Sequence, residues 1–224
     1  MAGRRRIAFS SSLVAALALA AVAGAGTWPK LEKSAADQAL ANRSILHIGD
    51  FTAGAGWTVA KDTGGSGSVS DPSSCNGPTF SDEGRVLTGS ASSSFQATGL
   101  QVWSSADVMQ TLAMARHDAS EITSTAVTSC LGALFKKNLP ASAKLVTVKK
   151  LAFPHVGDWT SAYRALIDVA VNGTTVRLQF DMVLARNDRV EITLMQMAPA
   201  AISKIALDGE VRLAERLAGP GLSA

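Results

Sequence analysis

Asn172-Gly173, between two runs of alternating residues, constrains the fold more than any other feature of this sequence. A two-residue type I′ hairpin turn needs positive φ at both central positions, and Asn-Gly is a pair that adopts them readily. Such a turn fixes the register of the strands beside it, which we predict over Tyr163–Val171 and Thr174–Ala185. The sequence therefore predicts an antiparallel hairpin at the centre of the second half of the chain.

The predicted register groups the side chains of this hairpin by chemistry. One face receives the apolar pairs Val169 with Val176, Ile167 with Leu178, and Ala165 with Phe180. The other face sets Asp168 opposite Arg177 and Arg164 opposite Asp181, and two cross-strand pairs of opposite charge support the assignment. Asp168 and Asp181 could also be read as the paired carboxylates of a glycosidase. Because each has an arginine directly across, the sequence favours structural ion pairs.

Further strands and helices are predicted on both sides of the hairpin. In the second half we expect strands over residues 145–153 and 189–197, a three-residue loop at 186–188, and a final helix from Pro199 to Ala218. That loop would put Phe180, Met182 and Leu184 on one face with Leu194, Ile192 and Val190.

In the first half, the patterns favour a flexible Gly- and Ser-rich loop, a strand and two helices. The loop covers residues 62–78, the strand 95–103 and the first helix 106–116, while the second helix begins near Ser124 and ends before Pro140. Together the elements predict an α+β fold, in which helices pack on an antiparallel sheet of about five to six strands as a helix–sheet sandwich.

The first 25 residues have the organisation of a secretory signal peptide. A charged start at Arg4–Arg6 is followed by an uncharged, Ala-rich run that ends in small residues at Ala25. The run is only weakly hydrophobic, whereas a permanent membrane span usually needs about 20 strongly apolar residues. We expect export with cleavage, leaving residues 26–44 as a polar linker and 45–218 as one extracytoplasmic domain. An uncleaved N-terminal membrane anchor is the alternative.

The basic character of the chain comes from this leader. The chain has 21 Lys and Arg against 18 Asp and Glu, and without Arg4–Arg6 the two totals are equal. A neutral domain lacks the positive surface that nucleic-acid binding requires. We therefore expect no nucleic-acid partner.

Cys75 and Cys130 are the two cysteines of the chain. Export favours a disulfide between them, because oxidising compartments allow such a bridge to persist. On the chain-entropy model, a bridge closing a loop of about 54 residues stabilises the fold by about 4 kcal/mol. Two buried free thiols are the alternative.

No motif for catalysis or for metal binding stands out in the sequence. His47, His117 and His155 are far apart and have no acidic residue at zinc-motif spacing. The chain has neither a Gly-x-Ser-x-Gly elbow nor a Cys-x-x-Cys motif. The sequence predicts no enzyme and no cofactor, with an envelope hydrolase as the alternative if Ser, His and a carboxylate converge in the folded chain.

Methionines offer a further candidate site, for an apolar ligand or partner. They lie in the predicted first helix and in the strands, at Met109, Met114, Met182, Met195 and Met197. Methionine fills cores more often than it lines pockets, so we favour core positions. By alternation Met195 and Met197 face away from Ile192 and Leu194, and an open face there would be an apolar patch for a partner.

Several short motifs spread over residues 46–217 carry a family resemblance. They are Asp50-Phe51 with Gly56-Trp57, Cys75 behind the Gly/Ser-rich loop, Cys130 in the second helix, and Gly157-Asp158 followed by Ser161-Ala162. In these motifs and in its order of elements, the chain resembles the sensor-type extracellular domain of actinobacterial envelope proteins, the PknH-like extracellular domain. That family occurs attached to receptor Ser/Thr kinases and in exported, stand-alone forms.

The resemblance implies a helix–sheet sandwich with a ligand cleft outside the cell and no enzymatic activity. This chain differs in residues 51–55, which replace a shorter turn, in its single cysteine pair, and in lacking a kinase segment and a lipid-anchor cysteine. We expect an exported, non-enzymatic envelope protein that binds a small or apolar ligand, or an envelope partner protein. A secreted domain that acts through surface contacts alone is a further alternative.

Overall fold

A mixed β-sheet is the main element of the structure. The computed structural model describes residues 29–51, 56–60, 84–122 and 126–219. The strands are β1 (Lys30–Leu31), β2 (Thr58–Val59), β3 (Val86–Ala97), β4 (Leu100–Met109), β5 (Ala143–Lys150), β6 (Trp159–Val171), β7 (Thr174–Asn187) and β8 (Val190–Pro199). The helices are α1 (Ala35–Arg43), α2 (Leu112–Ile122), α3 (Ala126–Asn138) and α4 (Ser203–Ala218).

The sheet is larger than predicted and is not purely antiparallel. Its eight described strands follow the order β1-β3-β4-β8-β7-β6-β5, with β2 also paired to β3. β1 runs parallel to β3. The prediction of an α+β sandwich on an antiparallel sheet of five to six strands is therefore wrong. Strands of two residues, such as β1 and β2, are too short to produce a periodic pattern, and β3 is rich in serine, which is not a typical strand residue.

The β6–β7 hairpin confirms the register predicted from Asn172-Gly173. The φ angles of Asn172 and Gly173 are 49° and 78°, as a type I′ turn requires. Asp168 pairs with Arg177 across the strands, and Arg164 pairs with Asp181.

The β7–β8 turn is one residue shorter than predicted. Asn187 pairs with Val190, so the turn is Asp188-Arg189 rather than the expected loop at 186–188, and Asp188 adopts a φ of 53°. Side chains alternate along a strand, so a shift of one residue exchanges the two faces of β8. The predicted face of β8 is therefore wrong, and Met195, not Leu194, shares a face with Met182.

The first half of the chain departs from its prediction in a related way. Residues 106–109, predicted as the start of a helix, complete β4, and the helix begins only at Leu112. Ala106 and Val108 are fully buried on one face of β4. Val108, Leu112 and Ala115 have the helical spacing on which the prediction rests, but Ala106 and Val108 alternate as in a strand, and β4 pairs with β3 and β8.

Each face of the sheet carries its own hydrophobic core. On what we call the α3 face, the buried residues are Leu131, Phe135, Tyr163, Ala165, Ile167, Val169, Phe180, Met182, Met195 and Met197. On the opposite face, called the α4 face, α1 and α4 cover a core that includes Leu40, Leu46, Phe95, Val102, Val183, Ile192, Leu194 and Leu217. The sheet is thus the middle layer between helices on both sides.

The outer edge of β3 between its contacts with β1 and β2 is covered by α1. Gln38 acts there like a short strand: its Nε2 donates to the Ser90 carbonyl at 2.7 Å, and its Oε1 accepts from the Ser90 N–H at 3.5 Å. Gly89 lies so close to the backbone of Asp37 that a Cβ atom would collide with it. This close packing protects an otherwise open sheet edge.

In the part of the chain that the structure describes, no helix has both the length and the hydrophobicity needed to cross a membrane. The predicted signal segment at residues 1–25 and the Gly/Ser-rich loop at 62–78 lie outside the described residues.

Candidate functional site

The residues singled out from the sequence do not converge on one site. Cys130 lies half-buried on α3, while Cys75 is outside the described residues, so the disulfide stays a prediction. Met195 and Met197 are only 9% and 6% exposed beneath α3 and belong to a core. The face that would have been an apolar patch if open is therefore covered.

The histidines make local contacts that do not resemble a catalytic triad. The His47 ring lies 3.0 Å from the Asn42 carbonyl, and the His117 ring lies 3.6 Å from the Glu121 carboxylate. His155 is exposed on the loop before β6. Among the described residues, no group of three or more His, Cys, Asp or Glu side chains is arranged to hold a metal ion.

The two predicted ion pairs are present, but their surroundings differ. Arg177 donates to both Asp168 oxygens at 2.7 and 2.9 Å on the surface. Arg164 donates to both Asp181 oxygens at 2.7 and 2.6 Å, and the Asp181 side chain is only 1% exposed. The sequence placed both pairs correctly but did not reveal that only one of them is buried.

A second carboxyl group, that of Glu210 on α4, is buried beside Asp181. We call these two residues the sealed acid pair. Glu210 is 0% exposed, and neither of its oxygens accepts a hydrogen bond from a protein donor. Burial, and next the neighbouring Asp181 carboxylate, raise the pKa of Glu210 to about 9. At neutral pH Glu210 therefore keeps its proton, which supplies the hydrogen bond that two ionised carboxylates could not form.

The other residues around the sealed acid pair complete a closed network. Gln179 donates to Asp181 at 2.6 Å, so this carboxylate accepts from an amide as well as from Arg164. Asp181 and Arg164 neutralise each other, and protonated Glu210 adds no charge. The Glu210 proton can be donated to Asp181, while the other Glu210 oxygen accepts from no protein donor, so the network is closed to solvent without being fully satisfied.

A second group of acidic residues lies on the α3 face, where β4 and β8 meet α2. This open acid cluster consists of Asp107 on β4, Asp118 and Glu121 on α2, and Glu191 at the start of β8, with Arg85 among them. Arg85 forms an ion pair with Asp118 and donates to Glu121 at 2.9 Å. Asp107 and Glu191 are direct partners across β4 and β8.

Glu191 is the most perturbed member of the open acid cluster. Burial, and next the Asp118 carboxylate, raise its pKa to about 10. The residue as a whole is nevertheless half-buried, and only its Oε1 is both enclosed and without a hydrogen-bond partner. Unlike Glu210, Glu191 therefore lies within reach of solvent, at the boundary between the core and a polar part of the sheet face.

Arg186 on β7 extends the cluster on the other side of Glu191. The two residues are direct partners across β7 and β8, so their side chains leave the sheet on the same face. Arg186 is 8% exposed, and its Nε has no hydrogen-bond partner. Neighbouring residues thus present one buried donor and one buried acceptor without a protein partner, positions that a water molecule or a ligand can occupy.

The charge balance of this region favours a ligand with a cationic group. With Glu191 protonated, three carboxylates remain against the guanidinium groups of Arg85 and Arg186, which leaves a net negative charge. The acids can hold an ammonium group, and the free Nε of Arg186 can donate to an acceptor on the same molecule.

Sequence reasoning missed both glutamates, although each left a signal. Glu210 precedes Leu213 and Leu217 by three and seven residues, which places a carboxylate in the apolar stripe predicted for the last helix. Asp118 follows the buried Ala115 by three residues, at helical spacing, and Glu121 follows Asp118 by three. Glu191 could not be assigned, because its face depended on the length of the β7–β8 turn.

No family model and no curated protein matches this sequence. Among solved structures, an uncharacterised protein of Mycobacterium smegmatis matches with 11% identity and a TM-score of 0.33, over 59% of this chain and 66% of that one. LpqN of Mycobacterium tuberculosis, described as involved in cell envelope biogenesis, matches with 12% identity and a TM-score of 0.28, over 55% and 68%. PA94 of Pseudomonas aeruginosa, a protein of unknown function, matches with 16% identity and a TM-score of 0.26, over 51% and 70%.

The chain thus spans slightly less than two thirds of the length of the first of these proteins. Similarity at this level carries no inference about the function of the present chain, and the likeness to the PknH-like extracellular domain stays a prediction.

Proposed function

We propose that this chain is an exported, non-enzymatic binding protein of the cell envelope, and that the open acid cluster with Arg186 holds a small ligand. The ligand carries an ammonium group and a hydrogen-bond acceptor. One observation carries the proposal: Glu191 and Arg186, paired across β7 and β8, bury an acceptor and a donor that no protein group satisfies. Export is supported by the signal-like residues 1–25.

The cluster differs from the hydrophobic cleft expected from the sequence. The methionines that were candidates for an apolar pocket are enclosed in the core under α3. The half-buried surface on the same sheet face is polar, and its acids lie on α2, β4 and β8. A polar ligand therefore fits the described residues better than an apolar one.

The ligand class can be tested with three small probes: L-alanine with both groups, methylammonium with only the cation, and acetate with only the acceptor. We expect amide chemical-shift changes around Glu191 and Asp118, with affinity highest for L-alanine and lowest for acetate. Asp118→Asn should weaken binding of L-alanine and methylammonium about tenfold, the effect of one lost charge-assisted hydrogen bond. Arg186→Gln should reduce the affinity for L-alanine to that for methylammonium.

Glu32→Gln serves as the matched control, because Glu32 is an exposed acid beside β1 that pairs with Lys30 outside the cluster. It should bind all three probes like the unchanged protein. Equal binding of acetate and L-alanine, or equal weakening by Glu32→Gln and Asp118→Asn, would contradict the proposal.

A further inference from the structure

Lysines are concentrated along one edge of the sheet, far from the open acid cluster. They lie on β5 and in the last turn of α3, which packs against β5. All five side chains are exposed: Lys136, Lys137, Lys144, Lys149 and Lys150. Among the described residues, none of the five forms a salt bridge. We call this surface the lysine edge.

Carboxylates near the lysine edge are already engaged. Asp168 faces Lys144 across β5 and β6, but both of its oxygens accept from Arg177. Asp181 lies on the same side of the hairpin and is buried with Arg164. The lysine charges therefore add to a single-sign surface on a domain whose total charge is balanced without the leader.

The lysine edge also contains an exposed apolar side chain and a free strand edge. β5 is the last strand on this side of the sheet. Its register shifts between Leu145 and Thr147, and Val146 at that irregularity is 43% exposed. Lysines and a bulge protect an edge strand from pairing with another chain, so pairing with a further strand is disfavoured here. A negatively charged partner can still bind the lysines, because such binding does not require it to pair with β5.

We propose that the lysine edge docks on anionic phospholipid headgroups. Its lysines extend from both faces of β5, since Lys149 is opposite Arg164 and Lys150 is opposite Tyr163 in the register. A broad basic rim around a single valine fits a surface of fixed negative charge better than it fits a shaped pocket. Each lysine near an anionic bilayer contributes about a fivefold gain in membrane affinity.

Vesicle flotation tests this proposal with the chain purified after export. The probes are vesicles of phosphatidylcholine alone and vesicles containing phosphatidylglycerol. We expect binding only to the phosphatidylglycerol vesicles, with release as the salt concentration rises. The triple variant K144Q/K149Q/K150Q should lose about a hundredfold in affinity, and K136Q/K137Q should lose about twentyfold.

The matched control is K30Q/K33Q, which removes two exposed lysines at the opposite edge of the sheet. It should bind vesicles like the unchanged protein, and circular dichroism should give the same folded spectrum for all variants. The proposal is overturned if K30Q/K33Q loses as much affinity as K136Q/K137Q, or if phosphatidylcholine vesicles bind equally well. It is also overturned if soluble polyphosphate binds but phosphatidylglycerol vesicles do not. The amino-ligand proposal is independent, because its residues lie on β4, β7, β8 and α2.

Discussion

The sealed acid pair and the open acid cluster are built from the same parts but differ in enclosure. In each, a glutamic acid with a raised pKa lies beside an aspartate that an arginine holds: Glu210 beside Asp181 with Arg164, and Glu191 beside Asp118 with Arg85. Glu210 is completely buried, whereas Glu191 is half-buried. Similar electrostatics thus serve a closed structural network in one place and a candidate binding site in the other.

The helices above the two networks explain this difference. α4 packs over β7 and β8, and its Leu217 and Ala214 are almost completely buried. Arg216 further ties α4 to the N-terminal segment by donating to Asp50 at 3.0 Å and to the Ile45 carbonyl at 2.8 Å. α2 makes its main strand contact with β4 alone. Glu191 beneath α2 therefore keeps partial access to solvent, although Asp118 and Arg186 beside it are buried.

The largest expected effect comes from removing an arginine from each ion pair of the β6–β7 hairpin. Arg164→Ala leaves the buried Asp181 carboxylate without its cation and should lower the free energy of unfolding by about 3–5 kcal/mol. Arg177→Ala is the matched change at an arginine whose side chain is 50% exposed, and it should leave the urea midpoint nearly unchanged. Equal losses in urea denaturation would mean that burial does not distinguish the pairs.

The second-largest expected effect is the pH dependence of stability that the sealed acid pair causes. Because the folded-state pKa of Glu210 is about 9, above the usual 4.5 of a glutamate side chain, the folded chain keeps a proton that the unfolded chain releases. Its contribution to stability is complete below about pH 4.5 and is lost as the pH rises toward 9, by at most about 1.4 kcal/mol per pH unit. Glu210→Gln should flatten this slope in urea denaturation between pH 5 and 8. If the slope of the variant equals that of the unchanged protein, Glu210 is not the buried acid responsible.

Glu191→Gln should produce a change of the same sign. The pKa of Glu191 is also raised, to about 10, so stability again falls as the pH rises from about 4.5. Between pH 5 and 8 both folded-state pKa values lie above the range, so the slope change should be no larger than that for Glu210→Gln. Thermal denaturation of the two variants over the same pH range compares the two slopes. An unchanged slope for Glu191→Gln would mean that Glu191 is not held protonated in the folded chain.

Asp37 should give the smallest effect, with the opposite sign. Its hydrogen bond with Arg189 lowers the pKa of Asp37, so its contribution is present above about pH 4 and is lost as the pH falls through the lowered value. Asp37→Asn should cost about 1 kcal/mol or less near pH 7, since the pair is partly exposed, and less as the pH falls below about 4. Denaturation at pH 7 and at pH 3 checks this, and a cost that does not decrease at pH 3 would contradict it.

The parts of the fold that could be predicted depend on strong local signals. Asn172-Gly173 determined a register of thirteen paired positions, and with it both ion pairs. The β7–β8 turn carried a weaker signal, and its one-residue error exchanged the faces of β8. Most of β3 was not predicted: the strand expected over 95–103 runs across the turn between β3 and β4, and the serines of β3 have low β propensity.

The candidate site was less predictable than the fold for a related reason. Glu191, Asp118 and Arg85 come from three separate elements, and no spacing in the sequence brings them together. Their roles follow from burial, which depends on how α2 covers the sheet. The likeness to a sensor-type domain predicted a ligand cleft, but it did not indicate which residues of this chain would line that cleft.

Gly89 connects the packing of α1 against β3 with the association between copies of this chain. Any side chain at this position would push α1 away from β3, because a Cβ atom would collide with the Asp37 backbone. Gln38 would then no longer cover the N–H and C=O of Ser90, and the central stretch of β3 would be free to pair with the same stretch of another molecule. At this one position, the absence of a side chain keeps the protein from joining its copies edge to edge.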